Sequence, residues 1–593
     1  MTYRKSLLAT SILAATLGLT GCGGSSNNDE TPTTPTNTAP TDISISVSAI
    51  EEDKLGVVVG DLSATDDSSE GLSFTVTDDR FEVADNKLKL KDSISLNFEQ
   101  EEEVKVEVTV KDAGGLTFSK ELTLSVTDMA PTDGENVYEF ASKLGEGSSV
   151  VYTGQTARHA LSAEIKHYMG LMTVEYIETN NIVAADVRTK LDALWGDYDS
   201  VSESPISHLG DDLTAYEQQT FAAISSSGKE LSGKIAGADT AKMYKEWEVE
   251  GNFKGVTEFG AQAKTPEGLV KHYFDLFIEQ IKKVNDGDSL VDVNGIAITK
   301  AFITPEGLDL VQLVQKHTLG ALMFSQGTDD YLGEGLESDN KVAQKDGVLY
   351  TKLEHQYDEG FGYFGASRNY LEYSDDEIAK KGGRDEFQGK NDIDSNGKID
   401  LASEFVWGNS SNAAKRDRGA KVTTDFTAEA MTNFIAGRKI ITDNHGTDVA
   451  DFADDLKAKF NKHVFDAAIA WEKAIAATVV HYINDSIADI ENIKDGEYTT
   501  DEFADYAKHW GEMKGFGLNF QFSPFSPFAE SDLNPQKAEF GEAKFVEVHT
   551  LMRDTPVVKG TSDEFAAYVA DLEKARDILS AAYGFAEENA KNW

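Results

Sequence analysis

The feature that most constrains this chain is a change in the spacing of its apolar residues near residue 130. Before that point they alternate, as in Ile43-Ser44-Ile45-Ser46-Val47 and Val104-Lys105-Val106-Glu107-Val108-Thr109-Val110. A period of two places every second side chain on one face of a strand, and short runs broken by Asp, Gly and Ser turns predict an all-β sandwich over residues 41–129. Beyond about Val137 the apolar residues recur three and four apart, for example in Glu306 to Gln326, Asp448 to Asp485 and Glu564 to Tyr583. That is the period of amphipathic helices. Thr265-Pro266-Glu267 and Thr304-Pro305-Glu306 read as helix starts, with Thr as cap, Pro in the first turn and an acid facing the helix dipole. With 593 residues there is too much chain for one core. The expected fold is multidomain: the sandwich, then a mainly α helical bundle over 137–593.

The N-terminus reads as an address. Arg4 and Lys5 precede an apolar stretch from Leu7 to Leu19, so residues 1–22 form a secretory signal whose apolar part is too short for a membrane span. Its end, Leu19-Thr20-Gly21-Cys22, resembles the lipobox of bacterial lipoproteins. The resemblance implies that Cys22 is lipidated and anchors the chain to a membrane. With Gly23 rather than an aspartate next, it implies an outer-membrane lipoprotein of a Gram-negative bacterium, facing either the periplasm or the cell surface. Residues 23–40, mostly Gly, Ser, Asn, Thr and Pro, cannot bury apolar surface and read as a disordered tether. Cys22 is the chain's one cysteine, which excludes disulfides within the chain, thiolate zinc clusters and a cysteine nucleophile.

Acidic residues number 103 against 55 basic ones, a net charge of −48 that repels phosphate backbones and excludes nucleic acid as a partner. Such a surface serves solubility, and it also suits calcium, which takes oxygen ligands. One loop is specific. Asp392-Ile393-Asp394-Ser395-Asn396-Gly397-Lys398-Ile399-Asp400 offers side-chain oxygens at alternate positions, a glycine at the tight turn, the Lys398 carbonyl and a further acid. This is the opening of an EF-hand-like calcium loop, with Glu404 as the closing carboxylate one place later than usual and Ile399 as the anchor to the core.

In the first domain the acids stand where strands end: Glu51-Glu52, Asp66-Asp67, Asn97-Phe98-Glu99, Asp112-Ala113-Gly114-Gly115 and Asp128. With these motifs the stretch resembles one bacterial cadherin-like repeat. The resemblance implies that Glu51, Glu52, Asp66, Asp67, Glu99 and Asp112 are calcium ligands at the junction with the following domain. A spacer with acidic loops is the plainer alternative.

The helical part carries segments that mix polar, aromatic and glycine residues: Tyr152 to Arg158, Gly320 to Met323, Glu354 to Tyr363, Trp471-Glu472, His481 to Asn484 and His509 to Phe516. Together they resemble a family of bacterial lipoproteins of unknown function related to the imelysin proteins. That likeness implies an all-helical bundle, a link to iron supply and a His-x-x-Glu signature, whose spacing His509 and Glu512 share. On helices, His355 and Glu359 share a face, Glu354 and Asp358 repeat the relation one step round, and His509 with Glu512 supplies a second pair. Imidazoles and carboxylates from two helices would grip iron, copper or zinc inside a bundle.

No His-Glu-x-x-His helix, Gly-x-Ser-x-Gly elbow or phosphate-binding P-loop is present in the sequence. The first expectation is therefore a lipid-anchored binding protein of the cell envelope that captures a metal ion or metal complex, with calcium in structural loops. The second is a calcium-stabilised adhesive or structural surface lipoprotein. An imelysin-type peptidase comes third, since no catalytic residues can be read.

Overall fold

The computed structural model describes residues 37–51, 56–68, 70–91, 94, 96, 103–127, 136–226, 228–238, 243–257 and 259–593. The expected secretory signal, Cys22, Glu52 and Glu99 lie outside them.

Residues 42–127 form two four-stranded sheets. The strands are β1 (Asp42–Ile45), β2 (Ala49–Glu51), β3 (Val58–Thr65), β4 (Ser73–Val76), β5 (Phe81–Ala84), β6 (Lys87–Leu90), β7 (Glu103–Lys111) and β8 (Thr117–Thr127). One sheet runs β1-β3-β6-β5 and the other β2-β8-β7-β4. Strand β2 lies parallel to β8, whereas β1, β4 and β5 pair antiparallel with their neighbours. The alternation that predicted these strands is the burial pattern itself: Val104, Val106, Val108 and Val110 of β7 are buried and the residues between them are not.

The remainder is mainly helical. Its longer helices are α1 (Thr153–Gly170), α2 (Ala184–Gly196), α3 (Pro266–Asn285), α4 (Leu310–Thr318), α5 (Lys352–Phe364), α6 (Gly408–Asp417), α7 (Phe426–Asp443), α8 (Asp454–Ile493), α9 (Thr500–Gly517), α10 (Gly541–Met552) and α11 (Ser562–Tyr583). The 40-residue α8 is the spine, packed against α6, α7, α9 and α11. Trp471 and Trp510 are fully buried along α8 and α9.

Helix starts divide the two Thr-Pro-Glu motifs. Thr265 caps α3 as expected, its hydroxyl accepting from Gly268 N. Thr304-Pro305-Glu306 starts no helix. There Leu308 N donates to the Thr304 hydroxyl and Gly307 takes φ +85°, closing a turn, so α4 begins only at Leu310 with Asp309 as its cap. Past α4 the chain continues as two π-helical turns, Leu319–Phe324 and Gln326–Tyr331, whose residues are all buried.

Candidate functional site

In the Asp392 loop the backbone closes around carboxylates. Asp392 accepts from Asn396 N at 3.0 Å and from Gly397 N at 2.8 Å, and Asp394 accepts from Asn396 N at 3.0 Å. Lys398 N in turn donates to Asn396 Oδ1 at 2.9 Å. The left-handed turn falls on Ser395 and Gly397, at φ +58° and +85°. Ile399 is buried and pairs its backbone with Tyr216, tying the loop to the helical body. Glu404 folds back so that Oε1 accepts from Ile393 N at 2.7 Å and Oε2 from Asp400 N at 2.7 Å. Burial pushes its carboxyl above the ordinary range, and the charge of Asp394 adds to that. Among the described residues, Asp392, Asp394 and Glu404 are the one trio of acids or histidines with ligand atoms all within 4.8 Å of one another. Asp400 stands apart from it: its oxygens accept from Gln218, Ala402 N and Ser403.

The acidic ends of the strands are occupied by the chain itself. Asp112 accepts from Asn37 Nδ2 and from Leu116 N, each at 2.8 Å, and so ties the β7–β8 turn. Asp67 accepts from Thr38 N at 2.7 Å. Glu51 is the last residue of β2, in register with Thr127, rather than a loop residue. Asp66 is half-buried beyond the end of β3, with Oδ1 buried and lacking a hydrogen-bond partner. These described acids do not converge as a ligand trio.

Of the expected transition-metal set, Glu354 and Asp358 turn away from the histidines. Both grip Arg438 of α7, at 3.2 and 2.7 Å, in the fully buried interior. Tyr138 also donates to Asp358. A buried guanidinium demands such partners, so these two carboxylates are charge balance for Arg438. Glu359 accepts from Gln155 and Gln356 and lies 3.8 Å from His355 Nε2, while His355 Nδ1 meets the Val151 carbonyl at 3.0 Å. Glu512 pairs with Lys316 of α4 at 3.3 Å and not with His509.

His509 instead joins a set that sequence reasoning missed. Asp485 Oδ2 of α8 lies 3.2 Å from His481 Nε2 and 3.9 Å from His509 Nε2. On the far side of the second ring, His509 Nδ1 donates to Asp489 at 2.7 Å. Donation from Nδ1 to a carboxylate fixes the ring's orientation, as it does in metal-binding imidazoles, and leaves Nε2 on the side of Asp485. Burial, aided by the positive charge of Arg416, pushes His481 down to about 4, so its ring is neutral at pH 7. Burial opposes protonation of His509 as well, but the hydrogen bond and charge of Asp489 outweigh it and raise that ring. Asp485 is raised by burial. The available signal was the spacing His481, Asp485, Asp489, three residues four apart on one helix face.

Polar-glycine segments singled out in the sequence also meet in the structure. A Cβ on Gly362 would come within 2.7 Å of Tyr152 Cβ, and one on Gly327, outside those segments, within 2.7 Å of the Trp471 ring. Their glycines allow close approach of helices in the core.

A sheet region followed by a mainly helical body makes this a two-part chain. The chain belongs to the family described as "Domain of unknown function (DUF4856)", whose model matches residues 135–496. A solved cis-dimer structure of protocadherin gammaB7 EC3-6 is weakly similar, at 23% identity and a TM-score of 0.13, over 16% of this chain. The likeness spans about a quarter of that protein, 24% of its chain. No curated protein matches the chain significantly. Among the described residues no helix is long and apolar enough to cross a membrane.

Proposed function

We propose that this chain is a lipid-anchored binding protein of the cell envelope. Its helical body captures iron, copper or zinc, free or as a complex, through His481, Asp485 and His509. The observation that carries the reading is the position of Asp485, whose Oδ2 faces both imidazole Nε2 atoms across the α8–α9 contact. Two imidazoles and one carboxylate leave coordination positions open once His509 gives up its proton, which suits capture of an exchangeable metal. The imelysin likeness of the His509 segment and the lipobox-like Leu19-Thr20-Gly21-Cys22 support the setting, an outer-membrane lipoprotein whose cadherin-like part is a spacer. Calcium belongs in the Asp392 loop.

The test is elemental analysis of the full chain prepared without a polyhistidine tag. A near-stoichiometric transition metal is expected, lost in His481→Ala and in His509→Ala but kept in His355→Ala. Full retention in both of the first two variants removes the site.

A second reading, a calcium-stabilised adhesive or structural lipoprotein, is favoured by the tightness of the Asp392, Asp394 and Glu404 trio. It predicts calcium-dependent cell attachment that the histidine variants leave unchanged.

A further inference from the structure

Between α10 and the segment that follows it, residues 553–559, the helical body holds a cleft of about 580 Å³. That lies within the usual range for a small-ligand site. Its walls are largely apolar. Val293, Val546, Pro556, Val557 and Val558 line it, and Val293 and Val546 are left 39% and 40% exposed. The turn at Gly307 backs the 553–559 segment, since a Cβ there would come within 2.9 Å of Pro556 Cγ and 3.2 Å of Val558 Cγ1.

Charges of both signs stand beside Val293. Lys559 Nζ donates to the Val293 carbonyl at 3.2 Å, and Val293 N donates at 3.3 Å to the carbonyl of Pro305, the neighbour of Glu306. Glu306 and Lys559 both line the cleft and both are exposed. Among the described residues neither makes an ion pair. The other lining charges are already held. Buried Asp554 accepts from Lys514 Nζ at 3.0 Å and from Thr257 N and hydroxyl at 2.6 and 2.8 Å. The Arg553 guanidinium lies 4.6 Å from the centre of the Tyr568 ring and 3.6 Å from Asp571.

His549 lines the cleft from its buried side, 3% exposed, and neither of its ring nitrogens has a hydrogen-bond partner. Gly517, whose backbone acts on the ring, does not reach it in bonding geometry. Such an imidazole has lost its hydration without a replacement from the chain. Exposed valines, an unpaired imidazole and two unpaired opposite charges thus share one cleft. They complement a solute that carries an ammonium, a carboxylate and an apolar body.

We propose that this cleft binds a small apolar zwitterion, an amino acid or a short peptide with free termini. Lys559 takes the carboxylate, Glu306 takes the ammonium, and the valine walls hold the apolar body. The site shares no residue with the His481, Asp485 and His509 set, so either can fail alone.

The full chain is titrated by calorimetry with phenylalanine and, separately, with leucyl-phenylalanine, and the tighter of the two distinguishes amino acid from peptide. That ligand is then titrated again with its amine acetylated or its carboxylate amidated. Each blocked form is expected to bind at least about tenfold more weakly, the loss of one charge-assisted contact. Lys559→Gln is expected to weaken the unblocked ligand about tenfold and to leave the amidated form unchanged, and Glu306→Gln is expected to do the same for the acetylated form. Both side chains are exposed, so neither change threatens folding. Val546→Trp, which fills the cleft from an exposed position, is expected to abolish binding, and His481→Ala to leave it unchanged. No binding of either ligand at about 10 mM, above the ordinary range of metabolite affinities, overturns the proposal. So does wild-type affinity in both Lys559→Gln and Glu306→Gln, or blocked forms that bind as tightly as the free one.

Discussion

Arg438 Nε lies 2.7 Å from Asp358 Oδ1, and both side chains are fully buried. Glu354 at 3.2 Å, the Ser149 hydroxyl at 2.8 Å and the Thr442 hydroxyl are further partners of the guanidinium, so a cation from α7 holds two carboxylates of α5 and a residue that precedes α1. Burial alone would disfavour every charge here. The attraction of Asp358 and Glu354 nevertheless keeps Arg438 protonated, with its pKa raised.

Removing one partner leaves the others charged and unpaired in the interior. Arg438→Met is expected to destabilise the helical body by about 3–5 kcal/mol, whereas the triple replacement with Glu354→Gln and Asp358→Asn recovers much of the loss. Urea unfolding of the full chain, followed by far-UV circular dichroism, measures both. A single variant as stable as wild type would contradict the buried network.

How legible this was in the sequence depended on distance along the chain. Alternation gave the strands because Val104 to Val110 report burial residue by residue, and the Thr265 cap needs only its own helix turn. The turn of the Asp392 loop is legible for the same reason, since its clustered carboxylates lie within 13 residues. Glu354 and Asp358 looked like ligands because Arg438, 80 or more residues away, is invisible to local spacing. His509 was paired with Glu512 on its own helix. Its actual neighbours, Asp485 and Asp489, sit on α8, about 20 residues back. Three-residue spacing names a face of a helix, and packing decides what that face meets.

The Asp392 loop places three carboxylates in one cluster, and burial disfavours the charge on Glu404. A bound calcium ion would offset that cost. Chelation with EGTA is therefore expected to lower the melting temperature of the wild type and to hasten cleavage between 384 and 404 by a low dose of trypsin. Glu404→Ala is expected to start at the lower melting temperature and to ignore the chelator. A wild type indifferent to chelation would sink the calcium assignment.

Tyr152 and Gly362 touch so closely that a methyl group has no room. The Tyr152 ring is buried, packed edge-on against Phe361 at 5.5 Å and beneath the Arg368 guanidinium at 5.5 Å. Alanine's better helix propensity is worth up to about 1 kcal/mol. Forcing a buried aromatic to move costs about 1–3 kcal/mol. Gly362→Ala is thus expected to destabilise, while Gly170→Ala, with nothing within 4 Å of its Cβ, is neutral or slightly stabilising. Comparison of their denaturant midpoints decides the point.

Glu472 of α8 gives the clearest dependence on pH. It is fully buried, burial raises its carboxyl from 4.5 to about 8, and the Tyr583 hydroxyl lies 2.8 Å from Oε1. The folded protein therefore holds this proton more tightly than the unfolded chain does. The stability it contributes is complete below about pH 4.5 and is lost progressively as the pH rises towards 8, where the folded state must either carry a buried charge or unfold to release it. Glu472→Gln removes the titration while keeping the shape and a hydrogen-bonding amide. The variant is expected to melt close to wild type at pH 5 and above it at pH 8, so that the difference between the two proteins grows with pH. Equal differences at both pH values would show that Glu472 is ionised in the folded protein across the range, and the burial of its neighbours would then need another source of compensation.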